Sequence, residues 1–143
     1  MATPRCTLLP AQAVVAVSGR DARAFLQGQL SNDILGLERH PGLLAAACNR
    51  QGRVLATMRL AAGGDEVLLV LHRKLAHTLV AQLTPFVLRA DVRFADRSPQ
   101  MEIAGLIDSE PDARWSQAAA AAAGLSMLVA SPRRILLAGT RPA

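Results

Sequence analysis

The sequence contains no tyrosine, and aromatic residues make up only 3% of its 143 positions. Proteins that bind single-stranded nucleic acids stack the bases on rows of aromatic side chains, and this sequence has too few aromatics for such a surface. Its apolar runs are also short, and none reaches the roughly 18 residues that would indicate a membrane-spanning helix. These absences disfavour a single-strand-binding module and a membrane protein.

Cysteine and histidine are too scarce for a disulfide framework or a zinc site. The two cysteines, Cys6 and Cys48, match no metal-binding spacing, and His40, His72 and His77 are scattered along the chain. We therefore expect no metal site. Because Cys48 ends an apolar run, we expect its thiol to be buried.

Lysine is nearly absent as well, since Lys74 is the only one and the other 15 basic residues are arginines. The net charge of +5 suggests an RNA-contacting domain as one alternative. However, arginine and alanine excess is also what a GC-rich bacterial genome produces, and the arginines are spread along the chain. Nucleic-acid binding is therefore disfavoured. The N-terminal residues lack the layout of a signal peptide, which predicts a cytoplasmic protein.

The hydrophobic pattern predicts an α+β fold with mostly antiparallel sheets. We expect residues 1–98 to form a first α+β unit and 99–143 to start a second, incomplete unit. The first unit should contain strands at 14–19, 43–49, 53–60, 67–72 and 90–96, and helices at 20–30 and 73–83. The run 67–72 should be a central strand, because it is apolar on both faces. The second unit should contain a strand at 101–107, a helix at 111–123, and a hairpin of 125–130 with 134–137. Gly28, inside a helix, suggests close packing against another backbone.

Three motifs carry a family resemblance: "VSGRDARAFLQGQLSNDI", "LLAAACNRQGRVLATMRL" and "FVLRADVRFAD". Together they resemble the N-terminal half of the YgfZ family, folate-binding relatives of the glycine-cleavage T-protein, an aminomethyltransferase. The resemblance implies intertwined strand–helix units of the T-protein type and tetrahydrofolate as cofactor. It also implies roles in iron–sulfur cluster assembly or repair and in tRNA modification, with iron–sulfur proteins as partners.

Two departures from the family pattern bear on activity. The T-protein enzymes carry an acidic pair after the Asn–Gly turn, and here Ala56 and Thr57 occupy those positions. Without a carboxylate to assist proton transfer, aminomethyl transfer lacks a catalytic group, so we expect a binding protein with no catalytic residue. The family's "KGCYxGQE" segment would follow Ala143, so we expect either a fragment of a longer protein or a truncated relative. The alternative of a folate-dependent transferase would have to use Asp33 as its acid.

The resemblance also implies a folate site at two polar element ends. Amides and carboxylates can pair with the donors and acceptors of a pterin ring, and an arginine can meet its glutamate tail. The predicted folate-binding residues are Gln29, Asn32, Asp33, Asn49 and Arg59, with Arg53 as an alternative to Arg59. Each also has a structural interpretation. Asparagine and aspartate are good turn formers, the glutamine can be a solvated helix residue, and the arginines can be surface residues of the sheet.

Overall fold

The structure is a computed structural model that describes residues 5–40, 42–107, 125–131 and 134–140. Two α-helices lie in these ranges, α1 (Ala22–Gln29) and α2 (Arg73–Leu83), with short 3₁₀ helices at Ile34–Arg39 and Thr84–Phe86. The strands are β1 (Arg5–Leu8), β2 (Gln12–Ser18), β3 (Leu43–Cys48), β4 (Val54–Gly63), β5 (Glu66–His72), β6 (Arg93–Asp96), β7 (Met101–Ile107), β8 (Leu125–Ser131) and β9 (Arg134–Thr140). The α+β prediction is confirmed.

The larger sheet has five antiparallel strands in the order β3-β4-β5-β2-β6. The run predicted as a meander forms β3, β4 and β5, which pair in sequence order. Strand β5 lies at the centre, and its residues Val67–Leu71 are buried on both faces of the sheet. The prediction of a central strand at 67–72 is therefore confirmed.

Both helices cover one face of this sheet. The alternation of β4 places Ala56, Met58 and Leu60 on that face, in one buried cluster with Leu26 of α1 and Leu79 of α2. Burying each of the larger side chains contributes about 1.5 to 3 kcal/mol to the stability of the fold, so this layer is the main core. It also fixes where the ends of the two helices lie relative to the strands.

The opposite face of the sheet packs against the smaller sheet, whose strand order is β1-β7-β9-β8. Ile103 of β7 joins a second buried cluster with Val14, Ala16, Ala61, Leu68 and Val70 of the larger sheet. The sequence predicted β7 and the β8–β9 hairpin, and both are confirmed. It did not predict β1, which pairs with β7 and so joins the sheet of the later residues. The division at residue 98 stays a prediction.

One close backbone contact ties the start of α1 to the strand β6. Gly19 has a φ of +111°, and a Cβ placed there would lie 2.1 Å from the carbonyl oxygen of Asp91. Asp21 and Asp91 then exchange hydrogen bonds, since the Asp21 N–H donates to that carbonyl at 3.1 Å and the Asp91 N–H donates to Asp21 Oδ2 at 2.8 Å. Glycine is required here because any side chain would collide with the neighbouring backbone.

A second polar contact lies where β6 ends. The buried Ser98 hydroxyl oxygen accepts a hydrogen bond from the Val14 N–H at 3.0 Å, and the Ser98 N–H donates to Asp96 Oδ1 at 2.9 Å. The hydroxyl of Ser98, and then its N–H, lowers the pKa of Asp96 below its ordinary value. A depressed pKa stabilises the fold above the ordinary pKa near 4, and that contribution is lost as the pH falls through the lowered value.

Two expectations about local packing were wrong. A Cβ at Gly28 would meet nothing within 4 Å, so this glycine faces open space and no neighbouring backbone. Cys48 is exposed, because it is the last residue of β3, where the register with β4 shifts and the apolar run ends. The helix predicted at 111–123, with the single tryptophan Trp115, lies outside the described residues.

Candidate functional site

A hollow of about 410 Å³ lies on the helix side of the larger sheet, where three chain segments come together. These segments are the C-terminal end of α1, the turn between β3 and β4, and the C-terminal end of α2 with the following 3₁₀ helix. The volume is in the range of small-molecule sites, which measure roughly 300 to 1,000 Å³. The hollow is lined by Gly28, Gln29, Ala47, Cys48, Asn49, Arg50, Leu55, Leu79, Gln82, Leu83 and Phe86.

Apolar side chains form the walls of this hollow. Leu79 and Leu83 are one helical turn apart on α2, and both are buried in the main core. Ala47 contributes the floor from β3, and it is buried as well. Phe86 is 52% exposed, so a large part of its ring remains available at the rim. An apolar wall with a free aromatic ring suits a flat, ring-shaped ligand.

The turn at residues 49–52 supplies a polar rim whose shape is fixed by one side chain. Asn49 Oδ1 accepts hydrogen bonds from the N–H groups of Gln51 at 3.0 Å and Arg53 at 2.9 Å. Gly52 has a φ of +79° and donates its N–H to the Asn49 carbonyl at 3.0 Å. The oxygen of the Asn49 amide is therefore used by the turn. Its Nδ2 group has no hydrogen-bond partner among the described residues.

Gln29 faces the same hollow from the last residue of α1 and is half-buried. The structure thus brings Gln29 and Asn49 together, as the predicted site required. Both side chains end in an amide, which offers a donor and an acceptor. Gln82 of α2 adds a third amide to the lining.

The residues Ser31, Asn32 and Asp33, here called the 31–33 corner, close the outer edge of β3. The Ser31 N–H donates to the Ala46 carbonyl at 3.0 Å, and its hydroxyl oxygen accepts from the Ala46 N–H at 2.9 Å. Asn32 Nδ2 donates to the Leu44 carbonyl at 2.8 Å, and Asn32 Oδ1 accepts from the Asp33 N–H at 2.7 Å. Both ends of the Asn32 amide are thus occupied by backbone groups.

The other predicted site residues lie away from the hollow. Asp33 is exposed and forms an ion pair with Arg39 at 3.6 Å. Arg59 points to the opposite face of β4, the face that carries Ala61 and the second buried cluster. Neither residue lines the hollow, and neither does Asn32. Their assignment to a folate site therefore stays a prediction.

Charge in the hollow comes from a single side chain. Among the described residues that line it, Arg50 is the only cationic one and none carries a carboxylate. Within the described ranges, no group of three or more histidine, cysteine, aspartate and glutamate side chains is placed to hold a metal ion. The hollow can therefore bind a ligand through its amide side chains and one positively charged side chain.

Sequence reasoning missed four residues that matter for the site. Arg50, Gln82 and Phe86 line the hollow, and Gln27 Oε1 accepts from the N–H groups of Ile34 at 2.6 Å and Leu35 at 3.1 Å. The Gln27 contact holds the 3₁₀ helix after α1. Gly28 was the one sign of the hollow in the sequence, because a glycine inside a helix leaves that part of the helix surface without a side chain.

Comparison with known proteins identifies relatives of part of the chain, although no family model matches it. It is 28% identical over 83 residues to the tRNA-modifying protein YgfZ of Cronobacter sakazakii, which covers 58% of this chain and 25% of that protein. It is 32% identical over 118 residues to the mitochondrial iron–sulfur cluster assembly factor IBA57 homolog of Mycosarcoma maydis, covering 73% and 29%. The resemblance to the YgfZ family is confirmed.

The fold of this YgfZ-like chain is also that of the T-protein. The crystal structure of aminomethyltransferase T from the glycine cleavage system of Bartonella henselae matches 96% of this chain and 42% of its own, with a TM-score of 0.74 and 15% identity. The YgfZ-like chain spans only about a quarter of the curated relatives it matches. In the part of the chain that the structure describes, no helix is both long and apolar enough to cross a membrane.

Proposed function

We propose that this YgfZ-like protein binds a reduced folate in the hollow between α1, the 49–52 turn and α2. On this proposal it is a cytoplasmic bacterial accessory protein of iron–sulfur cluster assembly and tRNA modification, with iron–sulfur proteins as partners. The names of its relatives support these roles, since one is a tRNA-modifying protein and another an iron–sulfur cluster assembly factor.

One observation carries the proposal of folate binding. The amides of Gln29 and Asn49 lie on a single hollow whose walls are the apolar side chains of Leu79, Leu83 and Phe86. A pterin is flat, so its faces suit apolar walls, and its edge alternates donors and acceptors that amides can pair with. Tetrahydrofolate would supply one-carbon units carried on its N5 and N10 nitrogens. The available residues therefore fit this cofactor in size and in chemistry.

No described residue favours the transferase alternative. A transferase needs a carboxylate beside the reacting nitrogen. The candidate acid, Asp33, is exposed, pairs with Arg39, and does not line the hollow. The RNA-contacting alternative has no specific support either, because several arginines are already paired with carboxylates on the surface.

Gly28 offers a test that separates folding from binding. A leucine at this position would project into the hollow, because a Cβ there meets no atom within 4 Å. We expect Gly28→Leu to weaken binding of 5-formyltetrahydrofolate by about ten-fold or more, or about 1.4 kcal/mol, in isothermal titration calorimetry. We expect Gly28→Ala to bind like the wild type and to raise the free energy of unfolding by up to about 1 kcal/mol, since alanine favours the helix.

A matched control uses the same helix outside the hollow. Ala24 is exposed one turn before Gly28 and does not line the hollow, so Ala24→Leu should leave binding unchanged. The proposal fails if the wild type does not bind reduced folate at millimolar concentration. It also fails if Gly28→Leu, folded as judged by circular dichroism, binds as tightly as Gly28→Ala.

A further inference from the structure

The strand β1 forms one edge of the smaller sheet, and all four of its residues, Arg5–Leu8, are exposed. Its position is fixed by the residue that follows it. The Leu9 N–H donates to the Ile103 carbonyl at 2.8 Å, and the Leu9 side chain packs against the second buried cluster. The smaller sheet therefore has a well-fixed edge whose outer side meets solvent.

The hydrogen-bond pattern of β1 shows which of its backbone groups face outward. The strand pairs with β7 in an antiparallel register. Because Leu9 bonds to the backbone of β7, the alternation of an antiparallel ladder directs Thr7 and Arg5 to β7 as well. The N–H and C=O groups of Cys6 and Leu8 therefore point away from the sheet. Among the described groups, the Leu8 carbonyl accepts only from the Thr7 hydroxyl, at 3.4 Å.

This edge lacks the protection that the larger sheet has at both of its edges. The 31–33 corner covers the outer edge of β3 with hydrogen bonds. Strand β6 carries Arg93 and Asp96 among its four residues, and such charges discourage pairing with another strand. In β1 only Arg5 is charged, and Leu8 is 58% exposed. An edge of this kind is open to pairing with a further strand.

A second copy of the same edge fits this strand, because two prolines limit the possible registers. Pro4 and Pro10 flank the strand, and proline has no N–H group to give to a neighbouring strand. In one antiparallel register, Cys6 of each copy lies opposite Leu8 of the other, and every outward N–H meets an outward C=O. In the next register on either side, a proline lies opposite Leu8 or Cys6, and that pair loses one of its two hydrogen bonds. The edge is therefore complementary to itself in one register.

From this pattern we infer that the protein forms a two-fold symmetric dimer, in which the β1 strands of two copies pair and join the two smaller sheets into one. Thr7 lies directly opposite Thr7 of the second copy, in a pair that shares no backbone hydrogen bonds. Leu8 packs beside Cys6 of the second copy, which buries exposed apolar surface twice. Arg5 lies opposite Leu9 of the second copy, so the two like charges stay apart.

The dimer is weak and reversible, because the paired edge is short. A standard protein interface buries about 1,200 to 2,000 Å² in total, and a strand of four residues from each copy covers much less. The hollow lies on the helix side of the larger sheet, whereas β1 belongs to the sheet that packs on the opposite face. Both hollows therefore stay open in the dimer, and the inference does not depend on folate binding.

The first test is a disulfide between cysteines placed at the centre of the paired strands. In a background of Cys6→Ser and Cys48→Ser, Thr7→Cys brings two thiols together, since the Cα atoms of such a pair lie about 4.5 Å apart, within disulfide range. Arg5→Cys is the matched control, because position 5 is exposed on the same strand and faces no thiol. Under mild oxidation, we expect about ten-fold more covalent dimer from Thr7→Cys on a non-reducing gel.

The second test measures the dimer without a cross-link, by analytical ultracentrifugation from about 10 µM to 1 mM. We expect the average mass of the wild type to rise from that of one chain toward that of two. Leu8→Pro removes half of the hydrogen bonds between the copies and none to β7, so it should keep the fold and weaken the dimer by about ten-fold or more. Thr7→Lys sets two like charges opposite each other and should weaken it by about two- to five-fold.

The outcomes decide for or against pairing through β1. Preferential cross-linking at position 7, with loss of the dimer in a Leu8→Pro protein whose circular dichroism is unchanged, supports it. A wild type that stays monomeric over the whole concentration range overturns it. So does a dimer that Thr7→Lys or a folded Leu8→Pro leaves as strong as in the wild type, because the contact would then lie elsewhere. Equal cross-linking by Arg5→Cys and Thr7→Cys would contradict the register.

Discussion

Asn32 and Asn49 are the only asparagines in the sequence, and each lies just after an element, Asn32 in the corner after α1 and Asn49 directly after β3. Asn32 Nδ2 donates to the Leu44 carbonyl of β3 and Asn32 Oδ1 accepts from the Asp33 N–H, so both ends of its amide are bonded to the backbone. Asn49 accepts from the backbone through Oδ1, and its Nδ2, on the hollow, has no hydrogen-bond partner among the described residues. The same residue type thus covers the backbone of a strand edge at position 32 and leaves a hydrogen-bond donor available at position 49.

The difference shows that residue type and position do not decide between a structural and a binding role. An exposed strand edge needs its N–H and C=O groups covered, and the 31–33 corner supplies that cover for β3. A hairpin turn needs only one acceptor from its first residue, so the other end of the Asn49 amide is left over. An asparagine amide can bind a ligand only through the atom that is not already hydrogen-bonded to the backbone.

The largest expected effect on stability comes from changing Asn32. Asn32→Asp keeps an acceptor for the Asp33 N–H but replaces the donor to Leu44 by a second oxygen. We expect this change to lower the free energy of unfolding by about 1 to 2 kcal/mol, because a hydrogen bond is lost and two oxygens then face each other. Urea unfolding followed by circular dichroism measures it. A change below about 0.5 kcal/mol would show that the corner does not hold the edge of β3.

The same substitution at the other asparagine should have a much smaller effect. Asn49→Asp keeps the oxygen that accepts from Gln51 and Arg53, and it removes only the free donor. We expect the free energy of unfolding to change by less than about 0.5 kcal/mol in the same experiment. A loss as large as that of Asn32→Asp would mean that Nδ2 has a structural partner, and the contrast between the two residues would disappear.

Much of the fold could be predicted from local patterns. The alternation of Ala56, Met58 and Leu60 places one face of β4 in the core, and the continuous apolar run of β5 predicts its central position. The strand β1 was missed because its four residues are all exposed, so no burial pattern marks it. Its pairing with β7 joins residues 96 to 102 positions apart, and no local pattern carries that information.

The candidate site could be predicted only in part. The structure places Gln29 and Asn49, two of the five predicted residues, on one hollow, because α1 and β3 end beside each other. Arg59 was assigned because an arginine can meet the glutamate tail, but Arg59 lies on the face of β4 that carries the second buried cluster and does not line the hollow. Arg50 and Phe86 were missed because their roles depend on how the turn and the end of α2 converge, and that arrangement is set by tertiary packing.

The most direct test of the account uses the two asparagines as reporters. Protein labelled with ¹⁵N only in asparagine side chains gives two amide pairs in a ¹H–¹⁵N spectrum, one from Asn32 and one from Asn49. On titration with 5-formyltetrahydrofolate, we expect the Asn49 pair to shift with saturation while the Asn32 pair stays in place. A shift confined to Asn32, or no shift of either pair at saturating ligand, would contradict a folate site between α1, the 49–52 turn and α2.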